Sequence, residues 1–440
     1  MAPKRTLPSD PAAPTPSKSR PPPSKRPRPS ADAPPAAPTH DVAGYGRWKD
    51  WPAPHEQMET AREWIRDCVK GKHRVLLIPD KDADGLSSAC LLAHTFHSLS
   101  HDPASLKVYH LPRSATNIHS EQARSEILAT TFPTHLGTTT TTTDEDDAGT
   151  PEPEREPLLA TRCIVLDQGS RPGPALVPGI KTLLIDHHLS ETFPDETTVL
   201  SACHSLPVAT TSLLVYELCC TLVPTLRGSG PAGLAALIGA YGDLGAGKLK
   251  FGGGAAAAAG GTSAANRDQD DDDVPWPASL APIEKQLTKS GLAKSVALIN
   301  APRRTPEFRV SDAYRALVAA TNRAQDAVVV VKTEGHHQQA GAGLSSKVLK
   351  GILDDPHLIE AKERTSAETQ RWQGAPPVFT KDGKIAVVTI DSGYQIHPVI
   401  ATRWTGTLRK AKTLVCVMVR FFCFFAAQSP EENAKEVSLF

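Results

Sequence analysis

The sequence predicts an α/β protein with a doubly wound, mainly parallel sheet, a second and smaller α/β domain, and a disordered N-terminal tail. Short apolar runs of buried-strand type alternate with apolar segments at helical spacing, as in a parallel sheet covered by helices on both faces. One helix-like and two strand-like segments in the second half predict the smaller domain. Thirteen of the 39 prolines lie in the first 40 residues, a composition that cannot bury enough apolar surface to fold.

The predicted elements of the larger domain alternate between strand and helix. Its strands are the short apolar runs Arg74–Pro79, Leu106–Leu111, Cys163–Leu166, Thr182–Ile185 and Thr197–Ser201. Its helices are the longer apolar segments Gly85–Leu99, Ala209–Leu222 and Pro231–Tyr241. In the smaller region the predicted elements are a helix near 281–297, a helical connector at Leu353–Glu368, and strands at Ile385–Ile390 and Thr413–Val419.

Shifts in composition predict where the chain divides. The expected parts are a disordered basic Pro-rich tail (1–42), the larger domain (43–245) with a Thr-rich and acidic insert (137–157), a low-complexity insert (246–278), a helical remainder and connector (279–370), and part of the smaller domain (371–440). Inserts of this kind are tolerated where they leave and re-enter the fold at a surface loop.

Charge and cysteine content exclude several classes of protein. Lys plus Arg and Asp plus Glu each number 48, so any nucleic-acid contact must come from a local patch rather than from net positive charge. The absence of a run of 18 apolar residues argues against a membrane-spanning helix or a membrane partner. The eight cysteines show no CxxC and no framework spacing, as expected for reduced thiols of an intracellular protein.

The tail contains a basic stretch, Lys25–Arg28, that resembles a weak nuclear-import patch. A solvated basic tail explains the same residues equally well. The first residues also lack the apolar stretch of a secretory signal. The expected location is therefore the nucleus or the cytoplasm.

Acidic residues follow the predicted strands and helices at their carboxyl ends. The four groups are Asp80, Asp82 and Asp84 after the first strand, Asp167 after the third, Asp186 with His187 and His188 after the fourth, and Asp243 after the last apolar helix. In an open α/β sheet the carboxyl ends of the strands line one crevice, where ligands bind. Like charges gathered there repel one another, so such a cluster needs cations to hold it.

Each acidic group also has a purely structural explanation. Asp84 could cap the helix beginning at Gly85, Asp167 could be a turn residue, and Asp243 could close a helix. Their joint occurrence, in this order and at strand or helix ends, favours a ligand site.

The donor set of these groups is oxygen plus imidazole, and no cysteine is placed to join it. Such donors favour Mn²⁺ or Mg²⁺ over structural zinc. One carboxylate can bridge two ions roughly 3.5–4 Å apart, an arrangement used to activate water for attack on phosphorus. No Gly-x-Ser-x-Gly and no Cys/His arrangement offers a protein nucleophile instead.

These residues carry a family resemblance. Asp80–Gly85, Asp167, Asp186–His188 and Asp243 resemble motifs I to IV of the DHH phosphoesterase superfamily. The first motif is most similar to that of the RecJ single-strand exonuclease branch. The oligoribonuclease and cyclic-dinucleotide phosphodiesterase branch usually has a His four residues before the first Asp, where this chain has Leu76.

The resemblance implies which residues hold two Mn²⁺ or Mg²⁺ ions. Asp80 would bind the first ion and Asp82 the second. Asp167 would bridge both ions, and His187 and Asp243 would complete the second.

The resemblance also implies roles for the neighbouring residues. His188 would face the scissile phosphate, where it would stabilise charge or protonate the leaving oxygen. Asp186 would lie behind the ligands and orient them. Asp84 would do the same, unless it caps the helix.

Further along the chain, Tyr394–Trp404 resembles the start of the C-terminal substrate-binding domain of fungal DHH proteins. Within it, Arg403 and His397 are candidates for contacts with substrate phosphate, because a guanidinium matches phosphate geometry in a bidentate manner. The alternative is that Arg403 is a surface residue and Trp404 a core residue.

Two stretches depart from the family pattern. Gly335–Gly341 resembles the substrate-gripping Gly-His…Gly-Gly segment but precedes Tyr394, so we interpret it as an insert in the connector, with a relocated binding loop as the alternative. After Thr413–Val417 the chain continues as Met418–Phe425 without the family's Gly-rich loop and basic remainder. We therefore expect an incomplete second domain with an exposed strand edge.

The expected function is metal-dependent hydrolysis of phosphodiester bonds in single-stranded nucleic acid or a short oligonucleotide. A small-molecule phosphatase or exopolyphosphatase is one alternative, because these reactions use the same metal centre. A non-catalytic scaffold is another, as in a replication-fork relative of RecJ that has lost metal ligands. The intact ligand set favours an enzyme.

Overall fold

A computed structural model of the chain describes residues 50–115, 117–132, 158–245, 249, 276–329, 346–408 and 414–420. For residues 327–329 and 414–420 it describes the backbone alone. The predicted tail, the insert at 137–157, most of the insert at 246–278, the Gly335–Gly341 segment and the residues after Arg420 lie outside these ranges, as does Lys25–Arg28.

Within the described residues, strands and helices alternate as the sequence predicts. The strands are β1 (Val75–Pro79), β2 (Leu106–Val108), β3 (Thr131–Phe132), β4 (Leu158–Leu159), β5 (Arg162–Leu166), β6 (Lys181–Asp186), β7 (Thr197–Ser201), β8 (Val378–Phe379), β9 (Ile385–Asp391) and β10 (Leu414–Arg420). The α-helices are α1 (His55–Lys70), α2 (Ala83–Ser98), α3 (Glu121–Leu128), α4 (Thr211–Leu222), α5 (Gly230–Leu244), α6 (Ala281–Leu287), α7 (Lys289–Ile299), α8 (Val310–Val329), α9 (Lys350–Leu353), α10 (Pro356–Gln373) and α11 (His397–Leu408). No helix in the described part of the chain is long and apolar enough to cross a membrane.

Five strands form a parallel sheet in the order β2-β1-β5-β6-β7. They are the five strands predicted for the larger domain, although β2 already ends at Val108. The chain adds β2 on one side of β1 and β5 on the other, so the direction of winding reverses between β1 and β5. In such a sheet this reversal opens a crevice at the carboxyl edge of the strands.

Side chains of the central strands point alternately to two cores. Val75 and Leu77 of β1 lie in the larger core with α1, α2, α4 and α5, whereas Leu76 and Ile78 lie in the smaller core with α3. Strands β5 and β6 alternate in the same way. Because both faces of the sheet are covered, the prediction of a doubly wound parallel sheet is confirmed.

A three-stranded sheet in the order β10-β9-β8 follows α10. Strands β9 and β10 are parallel, and β8 pairs with β9 in the antiparallel sense. Val388 and Ile390 of β9 form a separate small core with Ile396 and Ile400 at the start of α11. We call this second sheet together with α11 the small lobe (residues 378–408 and 414–420). Its strands β9 and β10 are the two strands that the sequence predicted in this region.

Two helices that follow the larger domain differ from their predicted bounds. The helix predicted near 281–297 is broken into α6 and α7 at Thr288, which has φ 65° and whose Oγ1 accepts a hydrogen bond from Gly291 N at 3.1 Å. The connector helix α10 starts at Pro356 rather than at 353, because Asp355 caps it and proline is favoured in the first turn.

Helices α2, α4 and α5 approach one another closely behind the carboxyl edge of the sheet. Gly239 of α5 faces α4 and α2, and a Cβ atom added there would lie 2.4 Å from Ser212 Oγ and 2.7 Å from Asp84 Oδ1. Both distances are far below van der Waals contact, so this position of α5 admits only glycine without movement of its neighbours.

We expect Gly239→Ala to lower the free energy of unfolding by about 1–3 kcal/mol, because extra atoms in a packed core force side chains from their preferred positions. Thermal or denaturant unfolding measures the effect. Gly374→Ala is the matched control, since a Cβ at Gly374 meets nothing within 4 Å and its φ of −88° suits alanine. Equal stability of the two variants would contradict this packing argument.

Candidate metal centre

Three neighbouring strands deliver polar side chains to one edge of the sheet. Asp80 follows β1, Asp167 follows β5, and Asp186–His188 end or follow β6. Asp243 joins them from the last turn of α5. The sheet therefore gathers all four groups that the sequence placed at strand and helix ends.

The start of α2 differs from the prediction. The helix begins at Ala83, and Asp82 caps it, because Asp82 Oδ1 accepts hydrogen bonds from Asp84 N at 3.1 Å and Gly85 N at 3.2 Å. The interpretation of Asp84 as the cap of this helix is wrong, since Asp82 occupies the cap position and Asp84 lies inside the helix.

Asp84 instead interacts with the beginning of α4. Its carboxylate is fully buried and accepts hydrogen bonds from Thr211 N at 2.7 Å and Ser212 N at 3.0 Å. These amides are the first of α4 and lack partners within their own helix. Asp84 thus ties α2 to α4, and the positive end of the α4 dipole stabilises its negative charge.

Gly85 explains why the first motif ends in glycine. A Cβ atom at this position would lie 2.6 Å from Asp80 O and 2.7 Å from Asp80 N. Both are backbone atoms, which cannot rotate away as a side chain can. Glycine therefore lets the loop after β1 fold back against α2, and this close approach sets the position of Asp80.

Asp167 lies at the centre of the site. It is 3% exposed and has φ 61°, a left-handed conformation uncommon for a non-glycine residue. Its Oδ1 accepts a hydrogen bond from Thr211 Oγ1 at 2.8 Å and lies 3.3 Å from His187 Nε2. The same His187 nitrogen lies 2.9 Å from Asp243 Oδ2, so one imidazole connects the end of β5 with α5.

Asp186 is fully buried and orients both histidines through its carboxylate. Its Oδ1 accepts from His187 N at 2.7 Å and His188 N at 3.2 Å and lies 2.7 Å from His188 Nδ1. Its Oδ2 accepts from Ser170 N at 3.2 Å. Burial raises the pKa of Asp186, but the hydrogen bonds from His188 and Ser170 outweigh this effect and lower the pKa below its ordinary value.

The two histidines retain a proton more readily than free imidazole. The hydrogen bond to Asp186 raises the pKa of His188. Burial lowers the pKa of His187, but the hydrogen bond to Asp243 and nearby carboxylates outweigh it, so the net shift is upward. His188 is the more open residue, with 60% of its side chain exposed against 18% for His187.

The carboxyl groups at the centre of the site carry strongly raised pKa values. Burial and the neighbouring Asp82 raise the pKa of Asp80 to about 6. Burial and Asp243 raise the pKa of Asp84 to about 7. Burial and Asp84 raise the pKa of Asp167 well above its ordinary value. Ionising these groups together is costly, and a bound cation would remove that cost.

Among the described residues, three sets of donor atoms lie within 4.8 Å of one another and could hold a metal ion. They are Asp80, Asp82 and Asp167; Asp84, Asp167, His187 and Asp243; and Asp167, His187 and His188. Asp167 belongs to all three sets. The donors are carboxylate oxygens and imidazole nitrogens, so they fit Mn²⁺ or Mg²⁺. The structure places Asp82 with Asp80, whereas the sequence analysis assigned these two residues to different ions.

The candidate substrate residues belong to the small lobe, outside these sets. Arg403 lies on α11, is exposed and donates a hydrogen bond to Gln373 Oε1. His397 begins the same helix and is partly buried, which lowers its pKa. Trp404 packs against the core of the small lobe.

Sequence reasoning missed two residues that contact the acidic groups. Thr211 donates its hydroxyl to Asp167, and the guanidinium of Arg303 lies 3.2 Å from Asp82. A run of Thr and Ser at 210–212 marks a helix start, but the sequence does not show what that start faces. Arg303 is 221 positions from Asp82, and no local pattern connects them.

A parallel α/β sheet with carboxylates and histidines gathered at its carboxyl edge defines a protein with a candidate divalent-metal centre. Residues 74–236 match the family model described as the DHH family, N-terminal domain. Residues 74–236 are therefore similar to the N-terminal domain of DHH family proteins. The matched region runs from the residue before β1 into α5 and includes three of the four acidic groups.

Three solved structures are similar to this chain at low sequence identity. RecJ from Thermus thermophilus in complex with Mn²⁺ is 13% identical with a TM-score of 0.51, over 84% of this chain and 46% of RecJ. An exonuclease RecJ bound to manganese is 13% identical with a TM-score of 0.48, over 82% of this chain and 80% of that one. The DHH domain of a protein described as a member of a ribosomal-protein family is 12% identical with a TM-score of 0.49, over 83% of this chain and 75% of that one.

The chain spans about half the length of the Thermus RecJ, since the alignment covers 46% of that protein. No curated protein sequence matches the chain. At 13% identity the likeness to RecJ establishes a shared fold.

We expect the metal-free protein to lose stability as the pH rises from about 4 to about 7. The folded-state pKa values of Asp80 and Asp84 are about 6 and about 7, against ordinary values near 3.8 in the unfolded chain. Between these values the folded state binds more protons than the unfolded state, so stability falls with rising pH. The raised pKa values of His187 and His188 act in the same direction.

Thermal unfolding in EDTA at pH 5 and pH 7.5 measures this effect for the wild type and Asp167→Asn. The variant removes one of the repelling charges. The difference between its Tm and that of the wild type should therefore be more positive at pH 7.5 than at pH 5. Asp195→Asn, at an exposed position before β7, is the control and should show no such trend. A Tm difference for Asp167→Asn that does not change with pH would contradict the assignment of the raised pKa values.

Proposed function

We propose that this chain is a metal-dependent phosphoesterase that hydrolyses phosphodiester bonds in single-stranded nucleic acid or short oligonucleotides. The family match and the acidic cluster support a metal-dependent phosphoesterase. The observation that carries the proposal is Asp167, a buried carboxylate common to every set of donors that could hold an ion among the described residues. The resemblance of Asp80–Gly85 to the RecJ motif supports the narrower substrate class.

The residues fit two Mn²⁺ or Mg²⁺ ions. In the proposal, Asp80, Asp82 and Asp167 hold one ion, and Asp167, His187 and Asp243 hold the other. Donor atoms of the first three lie close together, and those of the second three lie close together along with Asp84, which supports this assignment. When bound, such ions supply the positive charge that activates an attacking water and stabilises the charge developing on the phosphate. The Mn²⁺ in the Thermus RecJ structure, which shares this fold, supports the choice of metal.

His188 is proposed to protonate the leaving oxygen. Asp186 is ionised near neutral pH because its pKa is lowered, so His188 Nδ1 carries the proton that lies between them at 2.7 Å. This arrangement leaves Nε2 of the exposed ring to face a substrate. The raised pKa of His188 favours its imidazolium form, and that form can donate the Nε2 proton as the bond between phosphorus and the leaving oxygen breaks.

The other residues of the site position these groups. Asp186 accepts three hydrogen bonds from the two histidines and so holds both in place. A fourth, from Ser170 N, fixes the Asp186 carboxylate itself. Thr211 fixes the orientation of the Asp167 carboxylate. Asp84 stays in place through two amides of α4. Such residues act by reducing the reorganisation that a substrate would otherwise have to induce.

Replacing the shared carboxylate tests the proposed activity. We expect Asp167→Ala to reduce Mn²⁺-dependent hydrolysis of a single-stranded oligonucleotide by at least about a hundredfold, because it removes a donor from every candidate ion site. Release of mononucleotides from a labelled strand measures the rate, and circular dichroism verifies the fold. Asp195→Ala, in the loop leading to the amino end of β7, is the control. Turnover by Asp167→Ala above a tenth of wild type would rule out the assignment.

Salt dependence tests the proposed substrate class. Binding of a fluorescent single strand should weaken with salt, with a log–log slope of about −0.7 for each phosphate contacted. If Arg403 contacts a phosphate, Arg403→Gln should reduce the slope by about that amount. The control is Arg66→Gln, which removes an exposed arginine from the end of α1 near the amino edge of the sheet.

Two results would contradict the nucleic-acid substrate. The first is binding that does not depend on salt. The second is hydrolysis confined to mononucleotides or polyphosphate, which would favour the small-molecule phosphatase. Binding of a single strand without any hydrolysis in Mn²⁺ or Mg²⁺ would instead support the scaffold alternative.

A further inference from the structure

The segment 300–309, between α7 and α8, contacts the first acidic motif. Asn300 Oδ1 accepts a hydrogen bond from Ala83 N at 3.0 Å, at the first residue of α2. Lys81 Nζ lies 5.9 Å from the centre of the Phe308 ring. The segment therefore lies along the loop that carries the first carboxylates of the site.

Arg303, in a 3₁₀ turn of this segment, places its guanidinium between two of those carboxylates. Its Nη1 lies 3.2 Å from Asp82 Oδ2 and 3.7 Å from Asp80 Oδ2. The three side chains are each only 20–23% exposed, so water and salt screen this interaction less than they screen a surface ion pair. The ion pair is therefore a substantial part of the charge balance at this end of the site.

Only one oxygen of the Asp82 carboxylate, Oδ2, faces a cation in this structure. Its Oδ1 accepts two amides at the start of α2, and its Oδ2 faces Arg303. A divalent ion held by Asp80, Asp82 and Asp167 would need Oδ2 as well. A guanidinium and a divalent ion repel strongly when both lie against one carboxylate oxygen.

The backbone on either side of Arg303 is fixed. Arg113 Nη1 donates to Thr305 O at 3.4 Å and to Pro306 O at 3.0 Å. Gln395 N of the small lobe donates to Arg304 O at 2.9 Å. These contacts keep the Arg303 backbone beside the carboxylates, so displacement of the guanidinium requires a change of its side-chain torsions alone.

We propose that Arg303 is a resident cation of the site that holds Asp80 and Asp82 in the absence of metal and is displaced when a divalent ion binds. Arg303 thereby sets the metal affinity of that half of the site. This inference rests on the proposed function, because it requires a divalent ion to bind at Asp80 and Asp82. Arg303 is a positioning residue in this account.

Metal titration of the full chain tests the inference. The protein is stripped with EDTA and titrated with Mn²⁺ alone by isothermal calorimetry. We expect Arg303→Gln to bind one Mn²⁺ on the order of tenfold more tightly than wild type, because the competing charge is gone. Arg303→Lys keeps the charge and should bind nearly as wild type does. Arg315→Gln is the matched control, since Arg315 is an exposed arginine of α8 that also pairs with an aspartate, Asp312.

Each outcome bears on the inference separately from the proposed function. An unchanged or weaker Mn²⁺ affinity in Arg303→Gln, with wild-type binding intact, would overturn the role of Arg303 and leave the metal centre in place. The proposed function would be overturned instead if the wild type did not bind Mn²⁺, or if Asp167→Asn bound Mn²⁺ as tightly as the wild type. A lower Tm of metal-free Arg303→Gln with unchanged affinity would show that the residue has a structural role alone.

A measurement on the wild type covers the case in which Arg303→Gln does not fold. Phenylglyoxal modifies accessible arginines, and mass spectrometry locates the product. We expect saturating Mg²⁺ to increase modification of Arg303 several-fold, because displacement exposes the guanidinium, while modification of Arg315 stays constant. Equal modification of Arg303 with and without Mg²⁺ would contradict displacement.

Discussion

Buried carboxyl groups, gathered at the carboxyl edge of the sheet, are the constraint on which the surrounding structure depends. Asp84 and Asp186 are fully buried, and Asp167 is nearly so. A carboxylate removed from water is tolerated only if other groups replace the lost solvation. Each of these three therefore has hydrogen-bond donors fixed around it: backbone amides for Asp84 and Asp186, and the Thr211 hydroxyl for Asp167.

The amino-terminal ends of two helices also help to stabilise the acidic residues of the site. Asp82 accepts the first amides of α2, and Asp84 accepts those of α4. Both helices therefore direct the positive end of their dipoles at the acidic cluster. Close packing at Gly85 and Gly239 makes this possible, because a side chain at either position would separate the elements that carry the carboxylates. The arrangement of the acidic residues in this region therefore requires glycine at these two positions.

The segment after α7 links the site with the small lobe. Arg303 reaches Asp82, and the next residue accepts a hydrogen bond from the small lobe through its carbonyl. Arg113, in the loop after β2, donates to Thr305 O, Pro306 O and Gly393 O. The loop after β2, the segment 300–309 and the small lobe thus meet at the side chain of Arg113.

The sequence by itself determined the sheet and the carboxylates at its edge. Strands such as β1 are buried on both faces, so they appear as unbroken apolar runs that need no knowledge of their partners. Parallel strands bring their carboxyl ends to one edge, which is why Asp80, Asp167 and Asp186 could be expected to lie together. The helix α1 was not predicted, although its four buried residues, Met58, Ala61, Ile65 and Cys68, recur at helical spacing.

Only the tertiary structure decided what surrounds those carboxylates. Asp84 could be a helix cap or a residue behind the ligands as far as the sequence showed, and its contact with α4 depends on how three helices pack. Thr211 contacts Asp167, which is 44 positions away in the chain. Arg303 contacts Asp82, which is 221 positions away. Local periodicity reports which face of an element is buried, but it carries no information on which distant side chain that face meets. The partners of a buried charge are therefore a property of the folded chain.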